Sequence, residues 1–210
     1  MLDFTEAEIG HHLKQAQASD PGDPYLEYPP LLSQFKDKPK PAAVLIPLLR
    51  KDSAWHILFT RRREDLPEHS GQVAFPGGRT DPGDPSPEGT ALREACEEIG
   101  LQPEDVKILG RLGSYLTITN YLVTPIVGVI PWPYTLQLES REVSRAFTIP
   151  LEWLMDPANY EERPRYLPAT NQPVNVIYFE YYDGELLWGA SARLTLAFIH
   201  ALTHPAASEG

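Results

Sequence analysis

Three glutamates, Glu94, Glu97 and Glu98, lie close together in the segment REACEEIGL. On a helical wheel of about 100° per residue, Glu97 and Glu98 fall within about 60° of Glu94, one on each side. The positions four residues after Glu97 and Glu98 hold leucine and glutamine, so no lysine pairs with these acids there. Clustered carboxylates of this kind suit Mg²⁺, which prefers carboxylates, water and phosphate oxygens. The alternative interpretation is an acidic helix face turned to solvent.

Groups that flank the acidic segment favour the metal-site interpretation. Arg93 directly precedes the glutamates and is placed to orient them. The pair Gly77–Gly78 lets the backbone approach a ligand closely because it carries no side chains. The run Arg61–Arg63 is the densest positive charge, and guanidinium groups suit phosphate capture. Its alternative is an ion-paired strand end beside Glu64 and Asp65.

Other reactive residue types have simpler interpretations. The wheel places an apolar group opposite the acids, formed by Leu92, Ala95, Cys96 and Ile99. Cys96 is therefore predicted to pack inside the protein rather than act as a nucleophile. Asp81 and Asp84 are either metal ligands or members of an Asp-Pro-Gly-Asp turn. His69 is interpreted as a surface loop residue.

Composition excludes several function classes. The 210 residues carry 18 Lys and Arg against 29 Asp and Glu, a net charge of −11, which argues against a nucleic-acid partner. The longest clean apolar run, residues 42–49, is far shorter than the roughly 20 residues of a membrane-spanning helix, so no membrane partner is expected. The N-terminus lacks the pattern of a signal peptide. A single cysteine fits a reducing compartment, and the expected location is cytoplasmic.

The elements that must position these residues form an alternation of strands and helices. Thr5 and Glu8 have the spacing of a capping box, which predicts an N-terminal helix ahead of a proline-rich arm. Residues 1–41 are therefore assigned to a helix and arm, and residues 42–205 to the main domain. Helices are expected at 88–99, 150–154 and 191–203, and strands at 42–49, 55–60, 73–75, 106–112, 122–130, around Phe147, 176–182 and 185–188. This mixture indicates an α+β fold.

The segment from Gly78 to Leu101 resembles the Nudix box, G-x5-E-x7-R-E-U-x-E-E-x-G-U. Its second half, REACEEIGL, agrees at every defined position except one, where the small residue Ala95 occupies the aliphatic slot. The first half is one residue longer than the standard box. It has no early glutamate, so Asp81 or Asp84 would take that place.

The preceding segment, residues 58–78, resembles the extra signature of coenzyme A-type Nudix hydrolases, L-L-T-x-R-[SA]-x3-R-x3-G-x3-F-P-G-G. Arg62 falls on the first arginine of that pattern. Phe59, Arg63 and Pro67 depart from it. If the arginine that Pro67 replaces grips coenzyme A, then Arg61 or Arg63 must compensate, or the substrate differs.

The resemblance implies an α/β/α sandwich with a mixed sheet between helices, and a Mg²⁺- or Mn²⁺-dependent hydrolase of a nucleoside diphosphate derivative. The implied substrate is coenzyme A or an acyl derivative. ADP-ribose or a related compound is the alternative, followed by a nucleotide sensor without activity. The implied site residues are metal ligands Glu94, Glu98, Glu97 and the Gly78 carbonyl; catalytic residues Glu94, Glu97, Glu98, Glu142 and Arg93; and substrate contacts Arg61, Arg62, Arg63, Gly77 and Gly78. Glu97 and Glu142 are both open as the general base, and the oligomeric state is open, a homodimer included.

Overall fold

A mixed β-sheet forms the frame of the computed structural model, which describes residues 4–19, 37–66, 70–166 and 173–204. Its strands are β1 (Lys40–Lys51), β2 (Ala54–Arg62), β3 (Val73–Ala74), β4 (Gly77–Arg79), β5 (Lys107–Arg111), β6 (Tyr115–Leu116), β7 (Tyr121–Val129) and β8 (Val143–Pro150). β1 and β7 are parallel, and the other pairs of this sheet are antiparallel. The central strands run in the order β3-β2-β1-β7-β5, with β4 on β1, β6 on β7 and β8 on β2.

Helices cover both faces of this sheet. α2 (Pro87–Ile99) covers one face, where Ala91, Ala95 and Ile99 join a buried cluster with residues of β1, β2 and β7. The other face is covered by α1 (Glu6–Ser19), α3 (Leu151–Met155) and α4 (Gly189–Thr203), which share a second cluster. The α/β/α sandwich predicted from the sequence is confirmed.

The N-terminal helix is part of this sandwich. The Thr5–Glu8 capping box forms, because the Glu8 amide donates to Thr5 Oγ1 at 3.2 Å and the Thr5 amide donates to Glu8 Oε2 at 2.7 Å. Ile9 and Leu13 of α1 are fully buried against the sheet. Most of the predicted arm, residues 20–36, lies outside the described residues, as do Pro67 and His69. β1 begins at Lys40, two residues before the predicted start of the main domain.

Two turns separate strands that the sequence predicts as neighbours, and only the first closes a regular hairpin. The turn between β1 and β2 places Asp52 and Ser53 at positive φ, 51° and 65°. At Asp183–Gly184 the chain also turns with positive φ, but only isolated bridges flank this turn. β10 (Pro173–Phe179) pairs instead with β9 (Tyr160–Tyr166), a strand that the sequence analysis missed because YEERPRY has no apolar alternation.

No helix within the described residues is long and apolar enough to cross a membrane.

Candidate active site

α2 carries the three clustered glutamates, and local signals set its ends. Ser86 caps the helix by accepting a hydrogen bond from the Gly89 amide at 3.2 Å, and Pro87 occupies the first turn. Gly100 ends it in the left-handed conformation, φ 70°, with its amide donating to the Cys96 carbonyl at 2.9 Å. The helix therefore begins and ends close to the predicted bounds, and its apolar face fixes its rotation on the sheet.

Glu98 lies on the buried side of α2, with 6% of its surface exposed. Its Oε2 accepts from the Gly77 amide at 3.3 Å, and Arg62 Nη1 lies 4.0 Å from Oε1. Burial raises the pKa of Glu98 to about 8 against the opposing effects of Gly77 and Arg62. The helical wheel predicts the opposite arrangement, in which Glu98 lies away from the apolar face and Cys96 is buried. Instead Cys96 is only partly buried.

Glu94 lies one turn before Glu98 on α2 and faces Gly78. Arg93 Nη1 lies 2.9 Å from Glu94 Oε1. A Cβ atom on Gly78 would lie 2.5 to 2.6 Å from the carboxylate of Glu94, closer than real Cβ contacts. Position 78 must therefore be glycine for Glu94 to adopt this place. Burial is the largest cause that raises the pKa of Glu94, and Arg93 opposes it.

Arg93 links the acidic residues of α2 to the preceding loop. Its Nη1 donates to Glu97 Oε2 at 3.1 Å, and its Nε and Nη2 donate to the two oxygens of Asp84 at 2.9 and 3.0 Å. Arg93 is therefore a cationic partner of these acids, although no lysine follows them at the i+4 positions. The cation precedes Glu97 by four residues instead of following it, which is also a paired spacing on a helix.

Asp84 and Asp81 form a turn in the loop before α2. The Asp84 amide donates to the Asp81 carbonyl at 3.0 Å, and the Asp81 amide returns a bond to Asp84 Oδ2 at 2.9 Å. Thr90 Oγ1 also donates to Asp84 Oδ2, at 2.9 Å. The hydrogen bonds from Arg93 hold the pKa of the Asp84 carboxyl well below its usual range. Asp84 thus supports the turn and Arg93, and its oxygens are taken up by these partners.

An acidic loop, residues 137–142, faces α2 across a cleft of about 360 Å³. The cleft is lined by Glu94, Glu97, Glu98, Glu139, Arg141 and Glu142. The negative charge of Glu142 contributes to raising the pKa of Glu94 and of Glu98, which reflects this proximity. The sequence analysis had named Glu142 but not Glu139 or Arg141. The dense charge of LESREV was the available signal for both.

The arginine run divides between the two faces of the sheet, because successive side chains of a strand point to opposite sides. Arg62 points to Glu98. Arg61 pairs with Glu64 at 2.6 Å and with the buried Glu185 at 3.5 Å. The ion-paired interpretation therefore describes Arg61, and it also describes Arg63, which binds the carboxylate of Asp65 at 2.7 Å. Of the three arginines, the structure brings only Arg62 to the glutamates.

The donor set in the cleft fits a hard divalent ion, since it consists of carboxylate oxygens beside a backbone that approaches closely at Gly78. Within the described ranges, no three acidic, histidine or cysteine side chains already converge as ligands of one ion. Glu94 is held by Arg93 in this arrangement. This contact involves Oε1 of Glu94 and leaves the second oxygen of the carboxylate outside the ion pair.

Comparison with known proteins identifies the family. The NUDIX domain model matches residues 38–170. A Nudix hydrolase NudL from Photorhabdus laumondii is 39% identical over 84% of this chain and 90% of its own length. A NudL from Yersinia pestis is 38% identical over 73% of this chain and 75% of its own. The chain belongs to the Nudix family.

The fold agrees with this assignment. A MutT/Nudix family protein from Enterococcus faecalis superposes with a TM-score of 0.51 at 14% identity, covering 95% of this chain and 74% of that one. The chain is a Nudix-type pyrophosphohydrolase, an enzyme class that uses divalent metal ions.

Proposed function

We propose that this Nudix hydrolase cleaves the diphosphate linkage of coenzyme A or an acyl derivative, releasing 3′,5′-ADP and 4′-phosphopantetheine or its acyl form, with Mg²⁺ or Mn²⁺ as cofactor. The observation that carries the proposal is the 4.0 Å approach of Arg62 to Glu98. Arg62 belongs to the upstream segment that resembles the coenzyme A signature, and Glu98 belongs to the Nudix box. The two segments thus meet at Glu98, which lines the cleft.

Glu94, Glu98 and Glu97 would hold the ion, with the Gly78 carbonyl as a further oxygen donor. A bound divalent ion neutralises diphosphate charge and lowers the pKa of water. The strongly acidic cleft repels an anionic substrate by itself, so this neutralisation is needed before a diphosphate enters.

Arg62 is placed to bind a phosphate oxygen of the substrate at the edge of the metal site. Its Nε is buried and has no hydrogen-bond partner among the described residues. A buried donor without a partner is costly, and a phosphate oxygen would satisfy it.

Glu142 is the better placed of the two candidate bases. Glu97 is engaged by Arg93 at 3.1 Å. The Glu142 carboxylate has no hydrogen bond or ion pair within the described ranges, and it lines the same cleft. A carboxylate without a cationic partner is free to accept the proton of the attacking water.

A substrate panel tests the proposal. Coenzyme A, an acyl-coenzyme A and ADP-ribose are each incubated with Mg²⁺, with Mn²⁺ and with chelator, and the products are identified by mass. The expected result is metal-dependent formation of 3′,5′-ADP from coenzyme A. Rapid cleavage of ADP-ribose with coenzyme A intact would favour the alternative substrate. That alternative is included because Pro67 stands where the coenzyme A signature has an arginine.

A further inference from the structure

The acidic loop that carries Glu142 is fastened to the protein at two places. At its first end, the Gln137 amide donates to the Ile99 carbonyl at 2.9 Å, and the Glu139 amide donates to the Glu98 carbonyl at 2.8 Å. These carbonyls belong to the last turn of α2 and have no partner within the helix. The first end of the loop is therefore set by the helix that carries the clustered glutamates.

The second end of the loop is attached to the residue that follows β2. The Arg63 amide donates to the Glu142 carbonyl at 2.9 Å. The Arg63 side chain adds a bond from Nη1 to the Ser140 carbonyl at 3.0 Å. Its remaining edge is held by Asp65, through Nε at 2.7 Å and Nη2 at 2.9 Å.

This arrangement gives Arg63 a different use from the one expected of the arginine run. Each nitrogen of its guanidinium is bonded to the protein, either to Asp65 or to the loop, so none is turned to the cleft for a phosphate. Arg63 also stands where the coenzyme A signature has a small residue, which could make no such side-chain contact. The contact with Ser140 is therefore a feature of this chain that the signature does not supply.

We infer that Arg63 is a positioning residue, which holds the 140–142 end of the acidic loop through Ser140 and so keeps the Glu142 carboxylate facing α2. Its effect on turnover rests on the proposed function, in which Glu142 accepts a proton. Its effect on the loop does not.

The test compares Arg63→Gln with the matched control Arg163→Gln in the full chain. Like Arg63, Arg163 pairs with an acid two residues away in sequence, Glu161, but it lies on β9, outside the cleft. Hydrogen exchange is followed at the amides of Glu142 and Val143, both of which donate to the Glu139 carbonyl at 2.9 Å. Loss of one charge-assisted bond is expected to speed their exchange about tenfold in Arg63→Gln, with core amides of β1 unchanged.

Steady-state kinetics provides the second measurement. We expect kcat of Arg63→Gln to fall about tenfold with KM within about twofold of the wild type, because the base is displaced while substrate binding remains. Arg163→Gln should change neither the exchange nor kcat.

Three results would overturn the inference. Unchanged loop exchange in Arg63→Gln would show that the side chain does not hold the loop, whatever the activity. A raised KM at constant kcat would assign Arg63 to substrate binding, and faster exchange with unaltered kinetics would confine it to a structural role. If the wild type cleaves no diphosphate substrate, the proposed function fails, while the exchange measurement still decides whether Arg63 holds the loop.

Discussion

Asp84 and Arg93 form a two-bonded ion pair, with Arg93 Nε and Nη2 at 2.9 and 3.0 Å from the two oxygens of Asp84. The free edge of the guanidinium reaches Glu94 at 2.9 Å and Glu97 at 3.1 Å. Asp84 thereby fixes the arginine that orients two of the three clustered glutamates. Asp84, one of the two aspartates expected to replace the early glutamate of the Nudix box, thus acts on the site through Arg93.

The Asp84–Arg93 pair should make stability depend on acidic pH. Because the pKa of Asp84 is lowered in the folded state, the pair contributes stability that is fully present above the unfolded pKa of about 3.9 and is lost as pH falls through the lower folded value. Asp84→Asn should therefore lower Tm at pH 7, with the difference from wild type narrowing below about pH 4. Thermal unfolding between pH 2 and 7 measures this. Asp81→Asn is the comparison variant, because the Asp81 carboxylate is 66% exposed and lies 4.0 Å from Arg93, so its contribution should be much smaller. A difference between Asp84→Asn and wild type that stays constant with pH would contradict the account.

Gly78→Ala should disturb the metal site without disrupting the fold. The new Cβ would lie 2.5 Å from the carboxyl carbon of Glu94, a side chain that can move away. We expect kcat to fall by about 10- to 100-fold and the Mg²⁺ concentration for half-maximal activity to rise, since one ligand is displaced. Gly83→Ala is the matched control, because a Cβ there has nothing within 4 Å. Equal metal activation in the two variants would argue against Glu94 as a ligand.

Glu98→Gln should keep the fold and lower turnover by several orders of magnitude. The amide fills the same volume and can still accept from the Gly77 amide, but it is a much poorer ligand for a hard cation. The measurement is kcat at saturating Mg²⁺, with circular dichroism to verify folding. Wild-type activity in this variant would place the metal site elsewhere.

Arg62→Gln should raise KM for a phosphorylated substrate more than it lowers kcat, as expected for a contact made equally in the ground state and the transition state. Arg62→Lys keeps the positive charge but loses the planar guanidinium, so its KM should lie between those of Arg62→Gln and the wild type. Initial rates over a range of substrate concentration separate the two constants. A loss confined to kcat would instead indicate that Arg62 stabilises the transition state.

The sequence predicted α2 well because the signals for its ends are local. Ser86 and Gly100 directly flank the helix, Pro87 is its first residue, and the helix spans Pro87–Ile99. The first hairpin was accessible for the same reason, since the turn at Asp52 separates two apolar runs. β9 was not, because its charged residues lie exposed and carry no apolar period.

The environment of each site residue depended on distant partners and could not be predicted. The burial of Glu98 is set by Gly77 and Arg62, which approach it from β4 and β2. The division of the arginine run depended on the strand register that pairs Arg61 with Arg145 of β8. Helical periodicity describes which residues share a face, but it does not tell which partners that face meets.

Crystals soaked with Mn²⁺ test the central claim most directly, because anomalous scattering locates the ion without reference to any substrate. The account predicts a manganese peak in the cleft between α2 and the acidic loop, with carboxylate oxygens of Glu94 and Glu98 bound to it. A cleft without manganese at a saturating concentration of the ion would contradict the account.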